Sequence, residues 1–333
     1  MTCTPVSLRP LTRRRAIAGL AALVAAGTAK AQNAQPVTIL VPYQAGGPSD
    51  IGARMLAPDL SKVLNAPVVV QNMAGANGAI AAQKLLQAPA DGRTLFYGSP
   101  NEMILVPALN PAARYKTQDF APIGIARRSS MILVARTRLP VKTVDELVQY
   151  AKANPGRALS YGSVGQGSFQ HLLGAHVATL LGLDMVHVPY KGAAPMNTDL
   201  IGQQVDLAVT TLSSGALGFV DGGQMRSLGL LTKEPSPIAP HLATVQGSKA
   251  LKGIDFTFWS GLFMAAATPA PVQASLQAAF RKVIALPSVR DAILASGGEP
   301  VPPMALADMQ AVFRDVAARY PKLVKDLDIR IDP

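Results

Sequence analysis

Short β-branched runs alternate along the chain with stretches whose apolar residues recur at helical spacing. That alternation predicts an α/β fold built mainly on parallel sheets. The first unit is a strand over Val37–Val41 and a helix over residues 50–64; the second is a strand over residues 68–71 and a helix over 79–86. The same alternation resumes at residues 132–135, 144–153, 159–162, 171–181, 185–189 and 207–210. Pro58 falls inside the first helix, where its missing N–H and its ring are expected to bend or shorten it. Two stretches read as joints between lobes: residues 123–131, where GIARRSSM separates two apolar runs, and residues 257–267, which hold the only tryptophan, Trp259. If the chain crosses at the first and returns at the second, the helices from Val272 onward complete the first lobe, and a cleft lies between the lobes.

Length and composition narrow the class. The 333 residues suggest about two domains. Charged residues are 15% and apolar residues 49%, which argues against disorder and against a solvated coiled coil. The net charge of +11 raises nucleic acid as a partner. Residues 1–31, however, read as a cleavable export signal: a basic stretch ending in Arg13, Arg14 and Arg15, the apolar run AIAGLAALVAAGTA, then Ala29-Lys30-Ala31. Thr12-Arg13-Arg14-Arg15 is similar to a twin-arginine signal, but Ala16-Ile17 replaces the expected Phe-Leu, so the export route stays open. The signal holds five bases and no acid, so the remaining 302 residues carry 26 bases against 20 acids, a net charge of +6. These bases are scattered rather than interleaved with aromatics, so no nucleic-acid partner is expected. Cys3 leaves with the signal, and the expected mature protein is cysteine-free, monomeric and periplasmic.

The chemistry-bearing segments are two glycine-rich turns. VTILVPYQAGGPSDIGARML joins a strand to a helix through Gly46, Gly47 and Pro48. Such a turn aims backbone N–H groups and the positive helix end at one point, which suits a carboxylate; the plainer reading is a βα turn with Ser49 or Asp50 as the helix cap. LSYGSVGQGSFQHLLGAHV repeats the arrangement with Gly162, Ser163, Gly165, Gly167 and Ser168. Neither turn ends in GK[ST] or fits G-x-G-x-x-G or G-x-S-x-G, so no phosphate loop, dinucleotide fingerprint or nucleophile elbow is present. His171 and His176 are five apart, the wrong spacing for a metal pair on one helical face, and no metal or cofactor is expected. Lys191 is read as a solvated loop base, and Phe258 and Trp259 as packing at the joint.

These turns carry a family resemblance. VPYQAGGPSDIGAR, VVVQNMAGANGAIAA, ADGRTLFYGSP, YGSVGQGSFQHL and HVPYKGAAP, with the weaker WSGLFMAAATPAP, occur in one order. With them the chain resembles the periplasmic receptors of tripartite tricarboxylate transporters, the Bug receptors, over residues 36–323. The resemblance implies a two-lobed periplasmic binding protein fold, type II-like, with two mixed or parallel sheets and a ligand cleft between lobes. It divides the chain into lobe one, residues 32–130 and 260–333, and lobe two, residues 131–259. It implies a non-enzymatic receptor that captures a small carboxylate by hinge closure and hands it to a cognate membrane permease. By the same resemblance Tyr43, Ala45, Gly47, Ser49 and Asp50 line one side of the ligand and Ser163, Gln166 and Ser168 the other. Tyr43 stands where the family usually has Phe, and Gln246 where it has a glutamate. Asp50 is either a helix cap or, as in members that take amino acids, the partner of an amine. Two rival functions are a receptor that presents ligand to a sensor, and a periplasmic hydrolase or isomerase using Asp50 or His171.

Overall fold

The computed structural model describes residues 35–327, and the expected export segment lies outside them. The chain runs β1 (Val37–Val41), α1 (Pro48–Leu64), β2 (Val68–Asn72), α2 (Ala79–Gln87), β3 (Thr94–Gly98), the short α3 (Val106–Leu109) and the long β4 (Phe120–Arg136). It continues with α4 (Val144–Ala153), β5 (Leu159–Ser163), α5 (Phe169–Leu181), β6 (Met185–Pro189), α6 (Ala193–Ile201), β7 (Leu207–Thr211), α7 (Ser214–Asp221) and β8 (Met225–Leu230). β9 (Thr257–Ala265), α8 (Ala270–Ile284), α9 (Pro287–Ala295), β10 (Glu299–Pro300) and α10 (Leu306–Asp326) complete it.

Two groups of parallel strands flank an antiparallel centre. β2, β1 and β3 are parallel neighbours, and so are β6, β5 and β7; the strand order is β2-β1-β3-β9-β4-β7-β5-β6, with β8 and β10 also on β4. β1 shows why its sequence suits this place. Val37, Ile39 and Val41 pack with Leu56 and Leu60 of α1 and with Phe280 and Val283 of α8, while Leu40 faces a second core. A strand covered on both faces needs a nearly continuous apolar run, and VTILV supplies one, interrupted only by half-buried Thr38.

β4 departs from expectation. The segment GIARRSSM is no break between strands: it is the middle of one 17-residue strand. Residues Phe120–Ser130 pair with β9, and Met131–Arg136 with β7 and β8. Its buried polar groups are tolerated because each finds a hydrogen-bond partner. Buried Arg127 donates to the Ser129 and Ser296 hydroxyls at 3.0 and 3.1 Å, and the Ser130 hydroxyl donates to Glu299 at 3.0 Å. Unpartnered, a buried guanidinium would be among the costliest groups in the chain.

α1 also differs in detail. Its cap is Gly47 with Pro48 in the first turn, rather than Ser49 or Asp50, because proline's missing N–H and fixed φ suit the first helical position. The helix runs past Pro58, whose ring is exposed, and ends at Asn65 in the left-handed conformation. Pro58 therefore does not shorten it. Among the described residues no helix is long and apolar enough to cross a membrane.

Candidate functional site

The turn after β1 is tied inward by its own polar side chains. Asp50 is buried and accepts the Gly46 N–H at 2.9 Å and the Arg54 guanidinium at 2.9 and 3.0 Å. Arg54 reaches on to Asn72, which donates to the Tyr43 carbonyl at 3.0 Å. Burial alone would raise the Asp50 carboxyl, but the hydrogen bonds from Arg54, Gly46 and Asn72 hold it below the usual range. Asp50 thus fastens the turn to its helix and to β2. Ala45 is exposed, and Gly47 and Ser49 are half-buried.

Tyr43 turns away from solvent at its hydroxyl end. Its O–H donates in a short bond to Glu102, and the Asn101 amide donates back to the phenol oxygen at 2.9 Å. Glu102 is fully buried, and its other oxygen accepts the Ser99 N–H and hydroxyl, both at 2.8 Å. Burial pushes the Glu102 carboxyl up, and the bonds from Tyr43 and Ser99 offset part of that. Burial and the adjacent carboxyl push the Tyr43 phenol well above its ordinary value, so it keeps its proton.

Beside this cluster lies a loop that sequence reasoning quoted without assigning it a role. Gly75, Ala76, Asn77 and Gly78 have φ of 137°, 47°, 51° and 91°, four positive values in a row. Strain of this kind concentrates at functional sites. Gly78 is required sterically as well, since a Cβ there would meet Glu102 Cγ at 2.5 Å and Pro42 Cβ at 2.8 Å. The legible signal was the Gly-x-Asn-Gly spacing, the residue types that tolerate a left-handed backbone.

The second turn follows β5. Ser168, expected at the ligand, caps α5 by accepting the His171 N–H at 3.2 Å. Buried Ser163 donates to the Gly165 carbonyl at 2.9 Å and lies 2.7 Å from His187 Nε2. With the hydroxyl proton committed to that carbonyl, the His187 contact is completed by the ring's own N–H. His171 Nδ1 accepts the Gly167 N–H at 3.0 Å. The two imidazoles stack with centroids 3.7 Å apart and planes within 5°, and the Tyr161 ring lies 5.0 Å from that of His187. Burial pushes both histidines down to about 4, so both are neutral near pH 7; the proximity of His171 adds to the effect on His187. Gly174 leaves room for Tyr161, whose ring a Cβ there would meet at 2.2 Å. Among the described residues neither imidazole is bonded to a carboxylate and no three His, Cys, Asp or Glu side chains form a metal-holding group. The Ser163–His187 contact thus lacks the third member of a nucleophilic triad.

The two turns meet. Asn77 Nδ2 donates to the Gln166 carbonyl at 2.6 Å, and a Cβ on Gly165 would come within 3.1 Å of Asn77 Oδ1. Next to this bridge is a cavity of about 320 Å³ lined by Ala76, Asn77, Val106, Asn110 and Gln166. Of the eight residues expected at a ligand, Gln166 lines this cavity. The other seven are not among its lining residues; of these, Tyr43, Asp50, Ser163 and Ser168 are engaged in hydrogen bonds within the protein. Lys191 is exposed, as expected, and Trp259 packs against Phe263 and Phe313 at the joint.

Comparison with known proteins agrees with this architecture. A family model described as tripartite tricarboxylate transporter family receptor matches residues 52–329. A protein from the tcbD-tcbE intergenic region of a Pseudomonas species is 30% identical over 328 residues, covering 95% of each chain. Among solved structures, Rhodopseudomonas palustris Rpa4515 with adipate superposes with a TM-score of 0.81 at 30% identity, covering 90% of this chain and 99% of its own. MatC from Rhodopseudomonas palustris with bound malate gives 0.77 at 27% identity, covering 87% and 98%. The fold is therefore the α/β periplasmic binding protein fold, and the chain belongs to the tripartite tricarboxylate transporter receptor family.

Proposed function

We propose that the chain is a periplasmic receptor that closes on a small carboxylate and delivers it to a membrane permease of the tripartite tricarboxylate type. The observation that carries this reading is the Asn77–Gln166 bridge beside the 320 Å³ cavity, which joins the loop after β2 to the turn after β5. A cavity of this size is at the small end of ligand pockets. Solved relatives with malate and adipate bound support a carboxylate as its occupant. The lobes are taken as residues 32–130 with 260–333, and 131–259; the change of β4's partners at Ser130 and Met131 supports that division. By the family resemblance the turn carrying Tyr43, Ala45, Gly47, Ser49 and Asp50 stands on one side of the ligand and the turn carrying Ser163, Gln166 and Ser168 on the other, and of these Gln166 lines the cavity. The Asp50, Ser163 and Ser168 side chains hold these turns in shape. Nothing in the arrangement favours catalysis over binding.

A thermal-shift panel of mono-, di- and tricarboxylates on the protein lacking residues 1–31 tests the reading. Acid at 100 times its Kd adds about 2.7 kcal/mol of stability. Absence of any shift across the panel would overturn the carboxylate assignment. Co-purification with permease subunits, strengthened by the acid that responds, tests delivery separately.

A further inference from the structure

The hydrogen bonds around Tyr43 force one buried polar atom to go without a partner. Glu102 takes the phenol's only proton, so the Tyr43 oxygen can act only as an acceptor toward Asn101. The Asn101 amide must then present its NH2 end to Tyr43, and the same NH2 lies 3.4 Å from the Asn77 carbonyl, also an acceptor. Both contacts set the orientation of the amide. Its carbonyl oxygen Oδ1 is left with no hydrogen-bond partner among the described residues, although Asn101 is only 5% exposed. Buried acceptors of this kind are uncommon and costly.

The place of this atom gives it a use. Asn77, which the Asn101 amide touches, lines the cavity and holds the bridge to Gln166. Val106, farther along the helical segment that begins at Asn101, and Asn110, just past its end, line the same cavity. We propose that Asn101 is a specificity-determining residue: its Oδ1 accepts a hydrogen bond from a hydroxyl or ammonium group near the ligand's carboxylate. The receptor then prefers donor-bearing acids to plain acids of equal length. The inference rests on the carboxylate reading and deepens it by naming the substituent. Tyr43 serves it as a positioning residue. A phenylalanine at that position has no oxygen to hold the amide, so the preference is built by the Tyr43–Glu102 pair.

Calorimetric titration with succinate, glutarate and adipate, each beside its 2-hydroxy and 2-amino counterpart in both enantiomers, tests the proposal. At least one substituted acid should bind about tenfold or more tightly than its parent, since an unmet buried partner penalises the analogue that lacks the group. Hydroxy acids and amino acids form separate arms, so the nature of the donor is read directly. In Asn101→Leu the preference should collapse to within about threefold while the parent acid still binds. Tyr43→Phe, which deletes a single oxygen, should shrink the preference as well, and it carries the test if Asn101→Leu fails to fold by circular dichroism. Equal affinities in the wild type, or a preference that survives both substitutions, would overturn the inference and leave the carboxylate reading standing. Silence from every acid here and in the wider panel would overturn both.

Discussion

Asn77 combines two properties that substitution can separate: a left-handed backbone with φ 51° and a side chain that bridges to Gln166. Asn77→Gly keeps the backbone comfortable and removes the bridge. A neutral hydrogen bond contributes a net ~0.5–1.5 kcal/mol, so the equilibrium between bridged and open cleft should shift about fivefold for 1 kcal/mol. If ligand is held only when the cleft is bridged and the unliganded cleft is mostly open, its Kd rises by the same factor. Asn77→Ala removes the bridge and also places a Cβ-bearing residue, without asparagine's local hydrogen bonding, in a conformation that costs about 1–2 kcal/mol. Calorimetry should therefore find similar weakening for both variants, while denaturant unfolding finds Ala less stable than Gly by roughly 1 kcal/mol. Glycine's greater freedom in the unfolded chain trims that gap without reversing it. Unchanged affinity in Asn77→Gly would refute the bridge as a closing contact. Equal stability of the two variants would refute the assignment of strain to this loop.

Three further outcomes follow from the same geometry. His171 and His187 have folded values near 4, below the ordinary 6.5, so between these values the unfolded chain binds protons that the folded chain refuses. Their contribution to stability is complete above about pH 6.5 and is lost as pH falls toward 4. Urea titrations should show that decline and find it flattened in the double variant His171→Gln, His187→Gln; identical profiles would refute it. Asp50→Asn should cost about 1–3 kcal/mol through its charge-assisted bonds, with little of that from half-exposed Arg54. Ligands with and without an amine should weaken equally, and a loss confined to the amine-bearing ones would move Asp50 into the ligand's contact shell. Gly261→Ala would put a Cβ 2.0 Å from the Gly124 carbonyl and 2.8 Å from Ile125 Cα, backbone atoms that cannot swing aside. A loss of about 3 kcal/mol is expected by chemical denaturation, against near neutrality for Gly47→Ala, whose nearest neighbour is at 3.5 Å. A neutral Gly261→Ala would mean that β4 and β9 separate freely.

Much of the fold was legible because its signals are local. The strands and helices read from hydrophobic periodicity in the parallel units lie within a residue or two of where the structure has them, though β3 and α6 were not read, and Ser168 caps α5 by the rule for its residue type. What escaped depends on partners far away in sequence. Arg127 and Ser130 look like loop residues until Ser296 and Glu299 arrive from the other end of the chain. Glu102 reads as a surface acid until the Tyr43 hydroxyl covers it. His171 and His187 share no helical spacing and are brought together by the packing of α5 against β6, whose His187 stands opposite Tyr161 of β5. Asp50 was open between two roles, and its bonds to Gly46 and Arg54 give it a third: it binds the turn to the first helix without being the helix cap.

β4 has a mechanical consequence. Because one unbroken strand carries hydrogen bonds to β9 along its first part and to β7 and β8 along its last, the opening of the proposed cleft would twist a bonded ladder instead of unfolding a linker. The register shifts at Pro122/Gly124, Ile125/Arg127 and Leu133/Val134 lie on both sides of the changeover and concentrate that torsion. Such a joint behaves as a torsion spring with a rest angle. Its energy rises with the square of the angular displacement, so in the proposed closure the residence time of a ligand would depend on the contacts spanning the cleft and on the stiffness of this strand.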